Sequence, residues 1–175
     1  MSRMIIALLS VLLSLPLSAI AAEWVGRPAP VLSLSDQDGK TRALADFKGR
    51  WVALYFYPKN NTPGCTQEAL AFRDRHEELH RAGVAVIGVS ADSVASHKDF
   101  ARTHKLPFTL LADEQLALSR AMGVARGIGP VGFASRETFL IDPEGTIVYH
   151  YPSVNTAKHA GQVLEDVARL KASRP

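Results

Sequence analysis

The chain has 175 residues, enough for one compact domain and too short for two well-buried ones. Its composition, 47% hydrophobic and 21% charged, is that of a globular protein without low-complexity tracts or internal repeats. The formal charge of +3 comes from basic residues scattered among acids, as in Arg73-Asp74-Arg75 followed by Glu77-Glu78, which excludes a basic stripe built for nucleic acid.

The N-terminus reads as a targeting segment. Arg3 supplies the positive start, Met4 to Ile20 is an uncharged apolar run, and Ala19-Ile20-Ala21 ends it with small residues. Residues 1–21 are expected to be removed ahead of Ala22, with an uncleaved membrane anchor as the alternative. Losing one Arg and no acid lowers the formal charge from +3 to +2. The expected location is the periplasm, or another site of secretion, with no stable membrane contact by the domain of residues 22–175.

Val31 to Leu34 and Lys40 to Ala43 flank the turn signal Asp36-Gln37-Asp38-Gly39 and predict a hairpin. One helical turn follows at Leu44 to Phe47. Trp51 to Tyr57 is a continuous apolar, aromatic run stopped by Pro58, the pattern of a strand buried on both faces. Gly64 to Arg81 predicts a helix ended near Gly83, and Val84 to Val89 a second buried strand. Val94 to His104 predicts a helix, and Phe108 to Leu111 and Thr138 to Ile141 predict strands. Between them Gly127-Ile128-Gly129-Pro130-Val131-Gly132 reads as a loop, without the features of a phosphate cradle. Asp142-Pro143-Glu144-Gly145 is a turn into the strand Thr146 to Tyr151, and Thr156 to Leu170 closes the chain as an amphipathic helix. Alternating strands and helices, with a parallel crossover from residue 51 to 89 and hairpins at both ends, predict an α/β thioredoxin-like fold, a mixed central sheet flanked by helices.

The chain has a single cysteine, Cys65, so no intramolecular disulfide can form. By count alone a lone Cys is a buried structural thiol, or, in an exported protein, a reactive one. Its neighbours favour reactivity. Thr62 reads as an N-cap and Pro63 as a first helical residue, which places Cys65 in the first turn. There the unpaired N–H groups and the positive end of the helix dipole stabilise a thiolate. Cys65, Ala69, Phe72, His76 and Leu79 recur at helical spacing and share an inward face, with Cys65 at the floor of a shallow pocket. Glu68 points away from that stripe, to solvent or to a nearby Arg or Lys. His76 and His80 have a spacing that can hold metal, but no third ligand is evident. His97, His104, His150 and His159 look isolated.

The run Pro58-Lys59-Asn60-Asn61-Thr62-Pro63-Gly64-Cys65 resembles the Pro-x-x-x-Thr-x-x-Cys signature of peroxiredoxins. The longer stretch from Tyr55 to Ala69, with Phe72-Arg73-Asp74, Leu106-Pro107-Phe108 and Thr138-Phe139-Leu140-Ile141-Asp142, is similar to the peroxiredoxin Q, or bacterioferritin comigratory protein, branch. The resemblance implies a thiol peroxidase for hydrogen peroxide and organic hydroperoxides that needs no metal, flavin or haem. It implies Cys65 as nucleophile, Thr62 and the Cys65 N–H as hydrogen-bonding groups, and Pro58 as a shield. Arg136, at the head of the predicted strand from Thr138, occupies the place of the family's catalytic Arg; otherwise it would be a surface ion-pair residue.

The chain departs from many branch members at Leu70, where they carry a second, resolving Cys. The implied reductant is therefore external: a thioredoxin-like or glutaredoxin-like protein, or a small thiol. The chain is taken as a monomer or weak homodimer. The alternative readings are a thioredoxin-fold thiol oxidoreductase, which normally needs Cys-x-x-Cys, and a non-enzymatic copper-delivery module, which needs further soft ligands.

Overall fold

The computed structural model describes residues 24–31, 33–127 and 131–174. The targeting segment, its junction at Ala22 and Ile128-Gly129-Pro130 of the predicted loop lie outside the described residues. The strands are β1 (Ser33–Asp36), β2 (Thr41–Ala43), β3 (Trp51–Phe56), β4 (Val84–Ser90), β5 (Thr109–Ala112), β6 (Ala125–Arg126), β7 (Phe133–Ala134), β8 (Glu137–Ile141) and β9 (Ile147–Tyr151). The helices are α1 (Pro63–Asp74), α2 (His76–Arg81), α3 (Val94–His104), α4 (Ala117–Ala121) and α5 (His159–Ala172), with a 3-10 turn at Leu44–Phe47.

Seven strands form one sheet in the order β2-β1-β5-β4-β3-β8-β9. β3 runs parallel to β4 and antiparallel to β8, and β4 runs parallel to β5. This is the mixed, thioredoxin-like sheet that the pattern predicts. The continuous apolar run of β3 is explained by burial on two faces. Trp51, Ala53, Tyr55 and Tyr57 join the core beneath α1, α2, α3 and α5. Val52, Leu54 and Phe56 join the opposite core with Leu118 and Met122 from the α4 region. Side chains alternate along a strand, so a central strand must be apolar at every position. Gly88 in β4 serves this packing: a Cβ there would lie 2.8 Å from the Tyr55 ring and from Leu110. Truncating a central residue such as Leu54 to Ala costs about 2–5 kcal/mol.

Several boundaries differ from the sequence reading. The predicted helix from Gly64 to Arg81 is two helices, because Arg75 leaves the helical region (φ −104°, ψ 11°). The first hairpin strand sits two residues later than predicted, and its other edge pairs antiparallel with β5. The closing helix starts at His159 rather than Thr156. The Thr156 hydroxyl is drawn instead to Gln67 Oε1 of α1, and Lys158 N–H closes a turn on the Asn155 carbonyl at 3.0 Å. α4 and the short β6–β7 ribbon are too brief to leave a periodic signal and were not expected. Among the described residues, no helix is long and apolar enough to cross a membrane.

Candidate active site

β3 delivers the chain to the site. It ends at Phe56, and Tyr57 leads into the loop Pro58–Thr62, after which α1 begins at Pro63. Asn61 turns the loop with a left-handed backbone (φ 59°), a conformation Asn tolerates better than most residues. Thr62 takes the N-cap position with extended backbone, and Pro63 is the first helical residue, as expected. The Thr62 side chain, however, does not cap the helix. Its hydroxyl donates to the Lys59 carbonyl at 3.0 Å, which leaves its lone pairs to accept from an incoming O–H. The N–H groups of Gly64 and Cys65 thus have no intrahelical acceptor and no acceptor from the Thr62 side chain.

Cys65 lies in that first turn with 1% of its surface exposed. Ala69 and Phe72 of α1 and Leu79 of α2 are buried in the same core, and His76 is half-buried. The predicted inward face is present.

Arg136 reaches Cys65 across 71 residues of sequence: its Nη2 donates to Sγ at 3.2 Å. Strand register explains the meeting. Phe56 of β3 pairs with Glu137 of β8, so the residue preceding Glu137 lies beside the end of β3, where the loop to Cys65 begins. Gly64 makes room for it, since a Cβ there would stand 3.2 Å from Arg136 Nη2.

The structure decides between the two readings of Glu68, in favour of a partner Arg. The Glu68 side chain is fully buried, not solvated, and its Oε2 accepts from Arg136 Nη1 at 2.5 Å. Its other carboxylate oxygen has no hydrogen-bond partner. Burial pushes the Glu68 carboxyl up to about 7, against the pull of the Arg136 guanidinium. The sulfur, the guanidinium and the carboxylate therefore form one line, in which a single cation serves two acceptors. Glu68 follows Cys65 by three residues on one helix, the spacing at which two side chains can meet the same group.

Pro58 is half-buried at the edge of a cleft of about 680 Å³ whose walls also include Lys59, Ala91, Asp92, Ser96 and Phe133. Pro58 and Thr62 lie in the loop that leads into the helix carrying Cys65, and Arg136 reaches that cysteine from just before β8.

The histidines are less isolated than they looked. His150 Nε2 lies 2.8 Å from Glu137 Oε2, and its ring stacks on Phe139. His159 lies 2.8 Å from the Thr138 hydroxyl, and burial lowers it to about 4. His97 is fully buried against Tyr57 and Asn60. His76 and His80 have ring centroids 6.3 Å apart, and no group of three His, Cys, Asp or Glu suited to a metal occurs among the described residues.

Comparison with known proteins shows the family. The AhpC/TSA family matches residues 25–150. A chloroplast peroxiredoxin Q of Triticum aestivum is 44% identical over 146 residues, which cover 83% of this chain and 67% of that protein. The peroxiredoxin Bcp of Bacillus subtilis is 41% identical, over 81% of this chain and 92% of its own length. A solved structure of the Xanthomonas campestris bacterioferritin comigratory protein, described for its alkyl peroxide reduction activity, is 38% identical. It superposes with a TM-score of 0.74, covering 79% of this chain and 91% of that one. With its mixed sheet and its Pro58-to-Cys65 run, the chain belongs to the AhpC/TSA family, among the thiol-dependent peroxidases named peroxiredoxin Q and Bcp.

Proposed function

We propose that Cys65 is the nucleophile of a one-cysteine peroxidase acting on hydrogen peroxide and organic hydroperoxides. The carrying observation is the Arg136 guanidinium 3.2 Å from the Cys65 sulfur, at a helix start with unpaired N–H groups. The thiolate attacks the terminal peroxide oxygen in line with the O–O bond. An S–O bond forms, the O–O bond breaks, and the departing oxygen leaves as hydroxide or alkoxide and takes up a proton. Arg136 and the first-turn N–H groups stabilise the charge that grows on that oxygen, a preorganised electrostatic site. The Thr62 hydroxyl accepts from the peroxide O–H, and Pro58 keeps water and competing thiols from the sulfur. The alkyl peroxide activity of the Xanthomonas campestris relative supports organic hydroperoxides as substrates.

The product is a Cys65 sulfenic acid. Cys65 is the only cysteine in the sequence, and Leu70 stands five residues further along α1. An external thiol therefore attacks the sulfenic sulfur and releases water, and a second thiol reduces the mixed disulfide. We place this chemistry in the periplasm or outside the cell on the strength of the Arg3-to-Ala21 pattern, in antioxidant defence.

Purified protein should consume hydrogen peroxide with dithiothreitol as reductant, and Cys65→Ser should not. Without reductant, one equivalent of peroxide should give an intact mass that a dimedone-type probe shifts by one adduct. Quantitative disulfide-linked dimer with no trappable sulfenic acid would show instead that a second copy of Cys65 resolves the first.

A further inference from the structure

Behind the loop Pro58–Thr62 lies a buried polar system that the reaction as written does not use. Asn60 is its hub and is 5% exposed. Its backbone N–H donates to Asp92 Oδ2 at 2.9 Å, and its Nδ2 donates to Ser96 Oγ at 2.9 Å. Its Oδ1 accepts from the Tyr57 hydroxyl at 2.8 Å, and Nδ2 also lies 3.2 Å from His97 Nδ1.

The Leu111 carbonyl sets the position of the His97 ring proton. His97 Nε2 lies 3.1 Å from the Leu111 carbonyl, and a carbonyl only accepts. The ring proton is therefore on Nε2, and the neutral ring offers Nδ1 as an acceptor. Burial lowers His97 below its ordinary value, which favours this neutral form. Nδ1 then accepts from the Asn60 amide, with the Tyr57 hydroxyl 3.3 Å away on the same side. Asp92 closes the system by accepting from the Ser90 hydroxyl at 2.7 Å and the Ser96 hydroxyl at 3.2 Å. Both amide hydrogens and the amide oxygen of Asn60 are used.

The rest of the loop has little hold on the body of the protein. Lys59 and Asn61 are exposed, and the Thr62 hydroxyl bonds within the loop, to Lys59. An apolar side chain could anchor the loop by burial alone. A fully satisfied polar hub adds direction, because it holds only in one geometry.

We propose that Asn60 and His97 are positioning residues for the peroxide reaction, holding the loop so that Pro58 and the Thr62 hydroxyl stay in register with the Cys65 sulfur. The inference rests on Cys65 as the nucleophile. It deepens that reading by assigning the loop's geometry to α3 and to the end of β4, elements that do not themselves carry the reacting groups.

The test uses the full chain with Asn60→Ala, His97→Leu and His97→Asn. The Asn side chain branches where Nδ1 stood and keeps an acceptor for Asn60, whereas Leu removes it. Both His97 variants lose the bond to Leu111, so their difference isolates Nδ1. Two rates of Cys65 are measured by mass spectrometry: oxidation by hydrogen peroxide and alkylation by iodoacetamide. The second reaction needs the thiolate but not the peroxide geometry.

Asn60→Ala and His97→Leu should slow the peroxide reaction about 10- to 100-fold while alkylation changes less than about twofold, and His97→Asn should recover most of the loss. Equal loss in both rates, or a wild-type peroxide rate in a folded Asn60→Ala variant, overturns the proposal. Asn60→Ala alone carries the comparison if His97→Leu does not fold. Failure of the wild-type protein to react with peroxide would strike the assignment of Cys65 instead.

Discussion

Replacing Glu68 by Gln keeps the shape of a buried side chain and removes its charge. In the native protein the carboxyl is fully buried, one oxygen is bound to Arg136 and the other has no partner. Desolvation raises it from 4.5 to about 7 despite the guanidinium beside it. The folded protein thus holds a proton there that the unfolded chain releases at lower pH. Glu68 contributes stability that is fully present below pH 4.5 and lost as the pH rises to about 7. The difference of 2.5 pH units corresponds to about 3 kcal/mol.

Gln carries no such dependence. Its stability relative to wild type should therefore rise by about 3 kcal/mol between pH 4 and pH 8. Urea unfolding of both proteins at the two pH values measures this directly. Asp36 and Glu137, whose carboxyls are held below their ordinary values, act in the opposite sense but occur in both proteins and cancel. A wild-type–variant difference that does not change with pH would refute the reasoning. It would mean that Arg136 fully offsets the burial of the charge.

The remaining predictions concern the reaction and the N-terminus. Arg136→Ala should slow the reaction of Cys65 with hydrogen peroxide about 10²- to 10³-fold, measured under single-turnover conditions. Arg136→Lys should recover only part of this, because one ammonium cannot reproduce the fork that serves Cys65 and Glu68 together. A wild-type rate in Arg136→Ala would remove Arg136 from the site. Thr62→Val should cost a similar factor of about 10²–10³ by deleting the hydroxyl while keeping the shape. N-terminal sequencing of protein from its native host should begin at or near Ala22, and an intact Met1 in the membrane fraction would contradict export with cleavage.

What the sequence determined by itself was local. The order Thr62-Pro63-Gly64-Cys65 specifies a helix start within a few residues, and a helix start specifies where unpaired N–H groups point. Cys65 in the first turn needed no tertiary information, and neither did the helix face that it shares with Ala69 and Phe72. The buried strands were legible for a similar reason, since a strand covered on both faces must be apolar throughout. Arg136 was suggested by family resemblance, but its contact with Cys65 depends on the register of β8 against β3, which no local pattern encodes. The tertiary structure alone decided the fate of Glu68 and His97. Helical spacing says which residues share a face, but burial depends on what packs against that face. Arg136 turned an apparently outward carboxylate into a buried partner. Tyr57, Asn60 and Leu111 did the same for a histidine that looked isolated, because a hydrogen-bond hub drawn from four separate segments exists only once the sheet and α3 have brought them together.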